Sequence, residues 1–235
     1  MRIILSLLAS LFLVNNLYSQ TELTGWGKIY QKGEAISEKS FSEFYAALKS
    51  AVESKNADYV YGIVSPDIEI NHYEQDQNNI KFFKSKYDLR DSTNDFWVSA
   101  KKILSMGAFV QNYGYDVIYY PSVSFTEDYN NILGEEYYLK LQSNQNYANA
   151  VYDNVLVYKE ANENSEVLGK LNYEVVMINN FEYEKNIPWY QILLKDGSPG
   201  YVKYEDLYLS IFDYLMAFRK VDGFWKMVMF QRSGV

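Results

Sequence analysis

The chain has 235 residues, with 22 Lys+Arg, 30 Asp+Glu, a single histidine, no cysteine and 24 tyrosines. The missing cysteine excludes a disulfide framework, a thiolate zinc site, a cysteine nucleophile and a lipid-modified N-terminal cysteine. The solitary His72 excludes a multi-histidine metal centre and confines any imidazole chemistry to one residue. A net charge of −8 leaves no cationic surplus for phosphate backbones or anionic lipid, so neither nucleic acid nor a membrane surface is an expected partner. Hydrophobic content of 48% and charged content of 22% are ordinary for globular chains, and the length suits one large or two modest domains.

Residues 1–19 read as a secretory signal. Arg2 supplies the positive start, Ile3 to Val14 form an apolar core too short to span a bilayer, and Leu17-Tyr18-Ser19 places a small residue before Gln20. Leu17 leaves the cleavage point open. The expectation is a secreted or periplasmic protein, with no stable membrane insertion once the signal is removed.

The stretch Gln20 to Lys39 has no period, and Thr24-Gly25-Trp26-Gly27 reads as a leader or an edge strand. Ser40-Phe41-Ser42-Glu43 fits a capping box, followed by one apolar stripe of Phe41, Phe44, Tyr45, Leu48 and Val52. Asn56-Ala57-Asp58 opens a short helix through Val64, and Pro66-Asp67 ends it before a strand over Ile68-Glu69-Ile70. Amphipathic helices are predicted from about Asn78 to Tyr87 and from Asn94 to Ser105. The latter has Phe96, Trp97, Ala100, Ile103 and Leu104 on one face and Gly107 as its stop. Phe109 to Phe125 then turns β-rich, with Pro121 at an edge or turn.

Beyond the polar stretch Gln142 to Asn146 the helical period disappears. Short β-like runs at Val155 to Tyr158, Val175 to Ile178, Tyr190 to Leu194 and Tyr201-Val202 alternate with polar turns, which describes a small barrel. The last segment reads as a hairpin, Tyr214 to Lys220 and Phe224 to Gln231, closed by Val221-Asp222-Gly223. The fold class is α+β: N-terminal helices plus an antiparallel sheet, then a small SH3-like β-barrel and a C-terminal β-hairpin.

Four motifs resemble the bacterial SH3-type (SH3b) domain over about residues 151–209. They are Asn154 to Tyr158, Ser165-Glu166-Val167-Leu168-Gly169-Lys170-Leu171, Trp189-Tyr190-Gln191-Ile192 and Asp196-Gly197-Ser198-Pro199-Gly200-Tyr201-Val202. Gly197 falls where a tight hairpin needs positive φ, and Gly200 where the backbone must approach closely. The chain departs from that pattern at Tyr158, where the family has arginine, at Ala161-Asn162, in place of a loop proline, and at Tyr173, in place of a glycine. The opening helix, the Asp58 to Val64 turn and the closing Phe218-Arg219-Lys220-Val221-Asp222-Gly223-Phe224-Trp225-Lys226-Met227 resemble nuclear-transport-factor-2-like domains and uncharacterised secreted bacterial proteins that join such a region to an SH3 module. The resemblance implies residues 20–144 as an α+β domain completed by the hairpin 210–235, with the barrel, 145–209, inserted before it. Phe218, Trp225, Val228 and Phe230 would then pack on the Phe41 stripe. The simpler alternative extends the barrel with the hairpin.

His72, beside Glu74 and Asp76, could act as a general base, yet no nucleophile signature accompanies it, and an exposed loop histidine accounts for it better. The pairs Glu135-Glu136, Glu127-Asp128 and Glu205-Asp206 are adjacent residues whose side chains diverge on an extended chain, so none makes a glycosidase dyad by itself. No catalytic residue, metal ligand or cofactor is therefore assigned. Tyr152, Tyr158, Trp189, Tyr190, Tyr201 and Tyr204 lie in one small barrel that cannot bury them all, and are the candidate ligand-binding set, Trp189 and Tyr201 being its first choices for core. The expected function is a non-catalytic binding module for peptidoglycan peptide or glycan, or for another envelope protein. The alternatives are an accessory or divergent carboxylate-dependent cell-wall hydrolase and a binder of a small apolar ligand between the Phe41 and Phe96 stripes.

Overall fold

A computed structural model of the chain describes residues 21–30, 37–70, 79–112, 117–121, 131–134, 146–179, 188–209 and 213–232. The signal segment, His72 and the pairs Glu127-Asp128 and Glu135-Glu136 lie outside these residues.

Helix α1 spans Lys39–Glu53 and buries Phe41, Tyr45, Leu48, Ala51 and Val52. Its cap differs from the expected box. Glu38 is the N-cap, its carboxylate accepting from the backbone N–H groups of Ser40 and Phe41 and from Ser40 Oγ. A carboxylate two residues earlier outcompetes the Ser40 hydroxyl for the same orphan donors. Asn56 caps α2 (Ala57–Ile63), Asn79 caps α3 (Ile80–Lys86) and Asn94 caps α4 (Asp95–Ser105), each through its side-chain carbonyl. Gly107, at φ 78°, follows the last turn of α4.

Strand β1 (Val64–Glu69) starts directly from α2 and runs through Pro66, earlier than the sequence predicts. It lies at the end of its sheet, where a missing N–H costs no ladder bond. Strands β2 (Ala108–Asn112) and β3 (Val117–Pro121) follow α4. Then come β4 (Asn146–Ala150), β5 (Val155–Tyr158), β6 (Val167–Leu171), β7 (Val175–Asn179), β8 (Trp189–Leu193), β9 (Pro199–Lys203), a 3₁₀ turn at Tyr204–Asp206 and β10 (Leu207–Leu209). Strands β11 (Tyr214–Val221) and β12 (Phe224–Arg232) close the chain as a hairpin in which Asp222 and Gly223 both take positive φ.

Helices and strands together make an α+β protein of two compact units. One contains Tyr30, the described part of 37–121 and residues 213–232, the other residues 21–29, 131–134 and the described part of 146–209. The first holds the five-stranded sheet β1-β12-β11-β3-β2, in which the terminal hairpin sits between β1 and β3. The sheet is antiparallel except for the parallel pair β1 and β12, a departure from the expected antiparallel sheet. Strands so far apart in sequence have no hairpin to set their direction.

A bulge on β12 decides what this sheet buries. Ala217 opposes Met229 and Phe218 opposes Met227, so Val228 is the extra residue. The alternation resets there, and Trp225, Met227 and Phe230 face the same side. Val228 is consequently half-buried, off the core face expected for it, while its neighbour Met227 has no exposed surface. Phe41 packs on Tyr119, Trp225 and Phe218 with ring centroids 4.4, 4.9 and 6.1 Å away. Phe230 instead joins Phe96 at 4.8 Å and Phe83 at 6.3 Å. At the foot of α4, Lys102 Nζ donates to both carboxylate oxygens of Asp213 at 2.9 Å, with both side chains buried.

The second unit is a seven-stranded sheet in the order β10-β4-β7-β8-β9-β5-β6, antiparallel throughout. Residues 21–29, assigned by sequence to the helical domain, belong here: their backbone bonds to Lys170, Tyr173 and Val175 tie them to β6 and the start of β7. Gly200 lies where a Cβ would come 2.3 Å from Val157 Cγ1, the close approach its position predicts. Tyr173 takes φ 60°, a left-handed conformation that explains why a glycine suits this position.

Candidate functional site

Strict alternation on β8 and β9 sorts their side chains into two faces. Tyr190, Ile192, Gly200 and Val202 are buried, while Trp189, Gln191, Leu193, Tyr201 and Lys203 are half-buried on the other face. Trp189 opposes Lys203, Gln191 opposes Tyr201, and Tyr158 on β5 opposes Tyr201 from the other side. Register therefore places three of the six aromatic candidates, Tyr158, Trp189 and Tyr201, on one patch.

Contacts fix the rings of that patch. Trp189 meets Tyr158 edge to face, with centroids 5.1 Å apart and planes at 85°. Lys203 Nζ lies 6.0 Å from the Trp189 centroid and 2.6 Å from Glu163 Oε1. The hydrogen bond from Lys203 to Glu163 holds the ammonium pKa above its ordinary value. Across the strands, Asn179 Nδ2 donates to Gln191 Oε1 at 2.8 Å, and Gln191 Nε2 donates to the Tyr201 hydroxyl at 3.1 Å. This amide line locks Gln191 and orients the Tyr201 tip. The patch offers a flat indole, a phenol, a cation and amides, which suits stacking and hydrogen bonding.

The other three candidates lie elsewhere. Tyr190 is buried on the opposite face of β8 and meets Tyr204, the first residue of the 3₁₀ turn, at 5.7 Å. Tyr152 is half-buried ahead of β5, where its carbonyl accepts from Tyr173 N. The six-residue candidate set read from the sequence thus divides into the Tyr158–Trp189–Tyr201 patch, the Tyr190–Tyr204 contact and Tyr152. The expectation that Trp189 and Tyr201 are the core rings is reversed, because the buried rings are Tyr190 and Tyr158. Sequence reasoning missed Asn179, Gln191, Lys203 and Glu163. Reading period two outward from Trp189 would have found Gln191, but Glu163 approaches Lys203 from a loop with no periodic signal.

The remaining candidates are simpler. Glu205 and Asp206 lie on the 3₁₀ turn, with Glu205 exposed. Among the described residues no group of three or more acidic or imidazole side chains is placed to hold a metal ion, and no helix is long and apolar enough to cross a membrane. In the five-stranded unit, Phe41 and Phe96 pack on rings of the sheet, Phe41 on Tyr119 and Trp225 and Phe96 on Phe230. No family model, curated protein or solved structure matches the chain.

Proposed function

We propose that the seven-stranded unit is an SH3b-like barrel and that the protein is a non-catalytic binding protein of the bacterial cell envelope, secreted or periplasmic, that holds peptidoglycan through the Trp189–Tyr201 patch. The single observation supporting this reading is that patch. This unit keeps a tryptophan and a tyrosine half-exposed on one face, Tyr201 held by a line of hydrogen-bonded amides and Trp189 by its edge-to-face contact with Tyr158. Rings with few rotatable bonds and polar tips bind extended peptides or sugar faces at low entropic cost. The four sequence motifs, kept in order and spacing, support the same reading.

Sedimentation of the purified protein with isolated peptidoglycan tests this function. The protein is expected in the pellet at both low and physiological salt, because stacking on apolar ring faces is weakly screened. Recovery in the supernatant at both salt concentrations would remove wall binding, and release of soluble muropeptides would replace it with the carboxylate-dependent hydrolase.

A further inference from the structure

Residues 21–29 lie along β6 and the start of β7 in a backbone-bonded path. Leu23 N donates to Lys170 O at 2.8 Å, and Lys170 N donates to Thr21 O at 2.9 Å, a parallel pairing on the outermost strand of the sheet. Further on, Trp26 N donates to Val175 O, Val175 N to Gly27 O and Ile29 N to Tyr173 O, now antiparallel. An edge strand left open is a template for pairing, and this segment covers it.

The seat is shaped for small residues. A Cβ at Gly25 would lie 2.3 Å from the Val175 carbonyl oxygen, and one at Gly169 would lie 2.6 Å from the Thr21 carbonyl oxygen. Both obstacles are backbone, so a larger residue at either position forces the segment out. A buried carboxylate fastens it. Glu174 Oε2 accepts from Gly25 N at 3.0 Å while Oε1 is 3.5 Å from Lys28 Nζ, which reaches back to Glu22 Oε1 at 2.6 Å. Glu174 thereby ties the middle of the segment directly and both ends through Lys28.

We infer that the edge of β6 and the start of β7 form a strand-accepting groove selective for an extended segment with glycine at the place of Gly25, against the Val175 carbonyl. Residues 21–29 are its occupant in cis, Glu174 is the latch, and the same segment of a second copy is its occupant when the latch is released. The tethered strap competes at a high local concentration, so the groove is closed to other chains in the intact protein.

The experiment uses the full chain and a fluorescent synthetic peptide of residues 20–30. Gly25→Val, which unseats the strap, is expected to bind the peptide at least about tenfold more tightly than the unsubstituted protein. A peptide carrying the same Gly25→Val change is expected not to bind. A folded Gly25→Val protein that ignores the natural peptide overturns the proposal. If that variant does not fold, Glu174→Ala is read by amide hydrogen exchange. Exchange at Leu23, Trp26 and Ile29 should accelerate by about tenfold or more with β8 unchanged, because local opening sets the rate. Unchanged exchange of the strap overturns the latch.

Discussion

In the five-stranded unit Phe41, Phe83, Phe96, Phe218 and Phe230 have no exposed surface, whereas the described core of the seven-stranded unit contains no phenylalanine and is made of Val, Ile, Leu and Ala with Tyr147, Tyr158, Tyr190 and Tyr208. The physical reason is the thickness of each interior. Helices standing on one face of a sheet leave a wide gap that large rings fill to native density. Strands packed in a small unit leave room for short branched side chains, and their surplus rings remain at the surface. Aromatic rings therefore fill the first unit's interior, while in the second they divide between core and surface. A tyrosine count says nothing about which role a given ring takes.

The largest test of this contrast is the ion pair of the five-stranded unit. Lys102→Ala or Asp213→Ala breaks this buried ion pair and is expected to cost about 3–5 kcal/mol, read by denaturant unfolding. Lys102→Met with Asp213→Leu should recover most of that loss. Equal losses in the single and double variants would show that the pair's position, not its charge, is what matters.

A smaller effect is expected at Tyr45, whose hydroxyl lies 2.9 Å from the carbonyl oxygens of both Leu104 and Gly107. Tyr45→Phe removes this buried hydroxyl hydrogen bond and should cost about 1–2 kcal/mol. Burial raises the pKa of Tyr45 far above the ordinary 10.0, and burial followed by the neighbouring Tyr214 does the same for Tyr87. A raised folded pKa gives stability that is complete below the unfolded value and is lost as pH climbs from about 10 toward the folded value. Tyrosinate absorbance of these rings should therefore appear together with unfolding; ionisation at pH 10 in the folded protein would contradict their burial.

In the seven-stranded unit, Trp189→Ala and Tyr201→Ala remove half-buried rings and are expected to lower stability by under about 1 kcal/mol. A loss comparable to that of the buried ion pair would erase the distinction between core and surface rings. The smallest effect concerns Asp196, whose carboxylate accepts from Ser198 Oγ at 2.6 Å and Ser198 N at 2.9 Å, which lowers its pKa below 3.8. That contribution is present above the ordinary aspartate range and is lost as pH falls through the lowered value. Ser198→Ala should return the pKa toward 3.8 in an NMR titration, because the hydroxyl is the leading cause of the shift.

Much of the fold was legible because local signals agreed with the tertiary outcome. Asn56, Asn79 and Asn94 cap the helices that follow them, and Asp222-Gly223 turns the last hairpin. Strand β4 was missed because Asn146-Tyr147-Ala148-Asn149-Ala150 has weak β-propensity; close packing between β10 and β7 selects its small residues. The Val228 bulge left no mark in the sequence, since one extra residue changes which side chains face inward without changing composition. At the candidate site, sequence supplied Tyr158, Trp189 and Tyr201, and alternation along β8 sets Tyr190 on the face opposite Trp189; that Tyr158 and Tyr201 share the Trp189 face depends on register with strands that are distant in sequence.

The central claim is that the half-exposed rings of β8 and β9 make the binding surface, and peptidoglycan sedimentation with two variants tests it most directly. Phe224, 71% exposed at the tip of the β11–β12 hairpin, provides a surface ring outside the patch. The account predicts that Trp189→Ala with Tyr201→Ala reduces the bound fraction by about tenfold or more while Phe224→Ala leaves it unchanged, since loss of central anchors of about 2 kcal/mol or more governs such surfaces. Undiminished binding by the Trp189→Ala/Tyr201→Ala protein would contradict it.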